Sequence, residues 1–287
     1  MAKLGLTKTV VIIIFIMSGC SGSEEGTVSM ADKVGQLFMI GFQGKTMTSE
    51  TEALIRTIRP GGVILFGRNI ENADQLMKLI QDLQDLSMEV TGLPLLVSTD
   101  QEGGKICRIK WLDDKVPEAD ITTIDQAYET GLKRGVGLKD LGINLNLAPV
   151  LDMCVDGDFL TKYDRCFQGT PEEIGELGEN VILGQRAGGI MSVAKHFPGY
   201  GGIIQDPETV EIAVEDEIPE IEQFQVAEAA TPEFVMAVVD VIYQPIDPDL
   251  SFAISPHGIN FLREEIAGDY LIISDDLATE TMKNKYS

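Results

Sequence analysis

Seven short apolar runs rich in Val, Ile and Leu recur along this chain with amphipathic stretches between them, and no other feature constrains the fold as much. They cover residues 36–42, 62–66, 93–99, 143–151, 190–194, 234–239 and 270–274. Runs that do not alternate with polar residues suit strands buried on both faces, and helices between them make βαβ units of a parallel sheet. Between the second and third runs, Leu76, Leu79, Ile80 and Leu83 recur at i, i+3, i+4 and i+7, which predicts a one-faced helix starting at Asn72 with Gln75. Between the fourth and fifth, Thr170-Pro171-Glu172-Glu173 supplies an N-cap, a first-turn Pro and a capping-box Glu, and the helix runs to about Arg186, ended by Gly188-Gly189. The expected class is α/β, as a TIM-type (β/α)8 barrel in one domain. After Asp275-Asp276-Leu277 only ten residues remain, so the barrel is expected to lack its last helix-strand unit. Either another segment closes it, or the chain is a truncated product with an exposed sheet edge.

Function in such barrels collects at the carboxyl ends of the strands. Here the runs lead into Arg68-Asn69, Asp100, Asp152, Lys195-His196, Asp240 and Asp275-Asp276. Any one of these is an ordinary loop start. Together they predict a carboxylate-rich pocket at one barrel mouth, suited to a hydroxylated ligand whose groups donate to carboxylates and accept from Arg or Lys.

The amino terminus differs in kind. Lys3 and Lys8 precede the apolar run 10–17, and Ser18-Gly19-Cys20 follows, the layout of a secretory signal. Small residues before a cysteine resemble a bacterial lipobox, which makes Cys20 the expected lipidation site, with residues 1–19 a signal peptide, 20–28 a tether and 29–287 the folded domain. The protein is thus expected to be secreted across the bacterial inner membrane and held there by a lipid anchor. Beyond that region no apolar run approaches the roughly 18 residues of a membrane span. Lys and Arg number 22 against 46 Asp and Glu, and a formal charge of −24 argues against nucleic acid or anionic lipid as the main partner. Of Cys107, Cys154 and Cys166, at most two can pair, leaving one thiol over. With only His196 and His257 and no Cys/His cluster, neither a metal nor another cofactor is expected.

Six blocks give the chain a specific resemblance. They are the run from Gly35 to Phe42, Gly61 to Phe66, Asp100-Gln101-Glu102-Gly103-Gly104, Gly142 to Asp152, Lys195-His196-Phe197-Pro198-Gly199 and Ser274-Asp275-Asp276-Leu277. In this order they resemble glycoside hydrolase family 3, in particular its bacterial β-N-acetylhexosaminidase branch, whose β-N-acetylglucosaminidases act on peptidoglycan fragments. The resemblance implies that Asp275 is the nucleophile of a retaining hydrolase acting on β-linked amino-sugar glycans. It also implies that Asp100, Arg108, Arg165, Lys195 and His196 hold hydroxyls of the non-reducing-end sugar. Taken alone, Asp275 could be a helix cap, a role better suited to Asp276; the two arginines could be ion-pair partners and His196 a core histidine. Lys105 stands where the family usually has Arg.

The acid/base loop departs from that pattern. In the family branch the motif continues Lys-His-Phe-Pro-Gly-His-Gly, then four residues, then Asp-Ser-His. Here the chain has Tyr200 for the first loop histidine, and then Asp206-Pro207-Glu208, so Asp206 matches the orienting Asp and Glu208 stands where the proton-transferring His should be. Asp240 also stands where relatives usually have His. Two functions follow: a glycosidase using Glu208 as general acid, or a catalytically inactive sugar-binding lipoprotein.

Overall fold

A computed structural model of the chain describes residues 29–112, 114–209, 212–230 and 232–286. Cys20 and the expected leader and tether lie outside them. The seven apolar runs form seven parallel strands: β1 (Met39–Gly41), β2 (Gly62–Ile64), β3 (Leu96–Thr99), β4 (Leu145–Asn146), β5 (Met191–Phe197), β6 (Phe234–Ala237) and β7 (Leu271–Ser274). They hydrogen-bond in chain order, each beside its sequence neighbour. Met39 is in register with Gly62, Gly62 with Leu96, and Phe234 with both Val193 and Leu271.

The side-chain period of two sorts the strand residues onto two faces. One set, Met39, Ile64, Leu145, Val193, Phe234 and Ile273, gathers in a single core cluster to which the first and last strands both contribute, as in a sheet curling around its own interior. The other set, including Ile40, Val63 and Val97, packs beneath the helices. This is a parallel α/β half-barrel sheet, within the α/β class that the pattern predicts for a TIM-type barrel. The helix over Ala73–Thr91 begins where expected, Asn72 accepting the Gln75 amide at 3.0 Å, and Leu76, Leu79, Ile80 and Leu83 are its buried stripe. The helix over Pro171–Ala187 has the full capping box of Thr170 and Glu173.

Two strands differ from their sequence runs. The fourth pairs regularly over Leu145–Asn146 and then holds the fifth through the Val193 amide on the Ala148 carbonyl at 3.2 Å and a bridge from Val150 to Lys195, because Pro149 has no amide to give the ladder. The fifth extends to Phe197, so Lys195 and His196 lie inside the strand and not after it. The last helix, Glu280–Tyr286, is capped by Thr279, whose hydroxyl accepts the Met282 amide at 3.1 Å. Asp276 instead takes the Ala278 amide at 2.6 Å, a tight turn and not the cap expected of it.

Candidate active site

The carboxyl ends of the strands converge on a cavity of about 170 Å³. Asp100, Arg108, Arg165, Lys195, His196, Glu208 and Asp275 all line it, although up to 175 residues of chain separate them. Asp206 is not among its lining residues: its Oδ1 accepts the Glu208 amide at 3.1 Å, and so it shapes the loop that presents Glu208. Lys105, outside the cavity, pairs with Asp164 at 2.6 Å.

One wall is a closed network of charges. Lys195 Nζ reaches Asp100 Oδ1 at 3.0 Å and Glu102 Oε1 at 2.7 Å, and Arg108 Nη2 reaches Asp100 Oδ2 at 3.2 Å. Arg165 grips Glu102 with two parallel bonds, Nε to Oε2 at 2.8 Å and Nη2 to Oε1 at 2.9 Å. Burial alone would raise the Glu102 carboxyl, but Arg165 and Lys195 outweigh it and hold the group far below the usual carboxylate range. Burial opposes the charge on Lys195 as well, and Glu102 with Asp100 overcomes it, keeping the ammonium protonated. Gly103, at φ +96°, makes the turn after Glu102 possible; a Cβ there would lie 2.1 Å from Arg134 Nη2.

Asp152, fully buried, organises the next part of the site. Its Oδ2 accepts both the His196 amide at 2.9 Å and Nδ1 at 2.7 Å, while Oδ1 accepts the Tyr200 amide at 2.5 Å. The Arg165 guanidinium can only donate, so its 3.3 Å contact makes His196 Nε2 the acceptor and puts the ring proton on Nδ1, toward Asp152. The next turn of chain is held by the Tyr243 hydroxyl on the Gly199 carbonyl, with Gly199 at φ +143°. It delivers the Tyr200 hydroxyl to Asp275 Oδ2 at 3.0 Å.

The opposite wall is acidic and short of cations. Burial first, then Asp275 and Asp206, pushes Glu208 up to about 8. Glu208 is nonetheless an exposed residue of its loop, where solvent tempers both burial and repulsion, and the upward direction follows from the acids around it. Asp240, buried behind the cavity, is pushed up to about 7 by burial, against a 2.8 Å hydrogen bond from Thr279. Its Oδ2 has no partner among the described residues. Burial raises Asp276 too.

Glu102 and Tyr200 were not among the residues expected in the site. Glu102 stands two places after Asp100, on the same side of an extended chain, and that spacing was a usable signal. Tyr200 had no such signal beyond its place in the altered loop. Near the site, Cys154 and Cys166 form a disulfide with Cα atoms 6.1 Å apart, and among the described residues Cys107 is the free thiol.

Among known proteins, the family described as Glycosyl hydrolase family 3 N terminal domain matches residues 29–287. A beta-hexosaminidase of Shewanella frigidimarina is 30% identical over 254 residues, 83% of this chain and 72% of that protein. A beta-hexosaminidase of Alkalilimnicola ehrlichii is 31% identical over 258 residues, 83% of this chain and 71% of that one. Of solved structures, a β-N-acetylhexosaminidase from Beutenbergia cavernae superposes with a TM-score of 0.80 at 29% identity, over 91% of this chain and 82% of that one. A family 3 β-N-acetylglucosaminidase from Paenibacillus gives the same TM-score and identity over 91% of this chain, which spans 51% of that longer chain.

Proposed function

The chain belongs to glycoside hydrolase family 3, and from that premise we propose that it is a retaining enzyme removing non-reducing-end β-linked N-acetylhexosamine through a covalent intermediate on Asp275. The observation that carries this reading is that Asp275 and Glu208 line the same cavity as the five expected sugar-holding residues. In the first step an Asp275 oxygen bonds to the anomeric carbon as the glycosidic C–O bond breaks, and the departing oxygen takes the proton of Glu208. In the second, Glu208, now a carboxylate, takes a proton from water as that water attacks the anomeric carbon and frees Asp275. The raised position of Glu208 supports this role, since it favours the protonated form that a general acid needs. The paired wall of Asp100, Arg108, Glu102, Arg165 and Lys195 offers fixed donors and acceptors to sugar hydroxyls.

The relatives named beta-hexosaminidase and β-N-acetylglucosaminidase support amino-sugar glycans as substrates; peptidoglycan fragments are the glycans we assign. We further assign residues 1–19 to a cleaved leader, Cys20 to lipidation and residues 20–28 to a tether, placing the enzyme at the bacterial membrane. Intact mass and membrane partition check this: the Cys20→Ala protein should lose its lipid mass and leave the membrane fraction, and equal partition would refute the anchor. For the activity, purified protein should hydrolyse an aryl β-N-acetylglucosaminide, and Asp275→Asn should not. A folded wild type that binds N-acetylglucosamine without turnover would instead make the chain a catalytically inactive sugar-binding lipoprotein.

A further inference from the structure

We propose that Tyr200 is a positioning residue for the nucleophile, its hydroxyl fixing the Asp275 carboxylate for attack while the paired wall of the cavity holds the sugar. The inference rests on the reading of Asp275 as nucleophile. Asp275 takes one donor on each oxygen: the Asp276 amide on Oδ1 at 2.9 Å and the Tyr200 hydroxyl on Oδ2 at 3.0 Å. The first comes from its own chain neighbour. The second comes from 75 residues away and locks the carboxylate's rotation against a separate strand end. The cations of the site have other partners: Lys195 and Arg108 turn to Asp100, and Arg165 turns to Glu102.

Tyr200 is built to hold still. Its residue is 2% exposed, its amide is bound to Asp152, and its ring meets His196 and Phe159 edge-on, with centroids 5.0 and 5.5 Å apart. Burial, followed by the nearby acids, raises its hydroxyl well above the ordinary tyrosine range, so it donates without giving up its proton. The hydroxyl is therefore a fixed donor to the carboxylate and plays no part in the proton transfers assigned to Glu208. When the intermediate breaks down and charge returns to Asp275, the same donor is already in place to receive it.

Tyr200→Phe removes the hydroxyl and keeps the ring's packing. Its effect is read by three measurements: turnover of an aryl β-N-acetylglucosaminide, the rate at which a 5-fluoro-N-acetylglucosaminyl fluoride labels Asp275 by peptide mass, and calorimetric binding of N-acetylglucosamine. Turnover and labelling should both fall roughly 10- to 100-fold, the worth of a hydrogen bond to a charged group. Binding of the free sugar should change less than about threefold, because that wall is untouched. Labelling of Asp275 at the wild-type rate in the variant would overturn the inference and leave the nucleophile in place. Loss of sugar binding in step with turnover would make Tyr200 a packing residue and overturn it too. A wild type that labels elsewhere than Asp275 would overturn both the inference and the reading beneath it.

Discussion

Lys195 is 2% exposed and touches two carboxylates, and a cation so placed stays charged only because Asp100 and Glu102 are there. Glu102 in turn answers both Lys195 and Arg165, so it is the shared counter-charge of the wall. Glu102→Gln should therefore leave buried positive charge poorly compensated and destabilise the fold by about 3–5 kcal/mol, the usual cost of breaking a buried pair from one side. Urea unfolding of the variant beside wild type measures this, and an unmoved midpoint would show the wall to be electrostatically redundant. Residues of this kind were partly legible in the sequence. Asp100, Lys195 and His196 stood out by following or ending apolar runs, and Glu102 could have been found by its two-residue offset from Asp100. The Tyr200 contact with Asp275 could not, because it depends on the reach of one side chain across two strand ends.

The elements themselves were the most legible part of the chain. Six of the seven apolar runs contain a strand and the fifth begins one, and the caps at Asn72 and Thr170 start helices where their side chains can take orphan amides. What the pattern could not fix was how far pairing continues, since that depends on partners: Pro149 cuts the fourth strand short, and the fifth resumes pairing with the sixth at Phe197, past a register shift at Lys195 and His196. One loop deserves a test of its own. The disulfide from Cys154 to Cys166 spans 12 residues and joins a point two residues after Asp152 to one immediately after Arg165. A Cys154→Ser, Cys166→Ser protein should lose about 3 kcal/mol of stability by chain-entropy reasoning. It should also bind N-acetylglucosamine more weakly than the oxidised parent, because Arg165 loses its tether. Equal thermal midpoints and equal affinities would show that the loop holds its shape without the bond.

At the scale of the molecule, parallel strands in chain order bring all their carboxyl ends to one side, so residues from 100 to 275 meet in one cavity. That convergence was legible from the polar residues following the runs, whereas the loop carrying Glu208 folds over the cavity through contacts no periodicity reports, such as the Thr281 hydroxyl on the Pro207 carbonyl at 2.6 Å. Glu208 carries the central claim, and the leaving-group dependence of kcat/KM for Glu208→Gln tests it most directly. Wild-type turnover should decline as pH rises past about 8, where Glu208 gives up its proton, and the variant should lack that limb. The variant should lose about 10² to 10⁴-fold on a β-N-acetylglucosaminide with a poor leaving group, and far less on an activated aryl glycoside, which needs little protonation. Equal rates for Glu208→Gln and wild type on the poor leaving group would contradict the assignment of Glu208 as the acid.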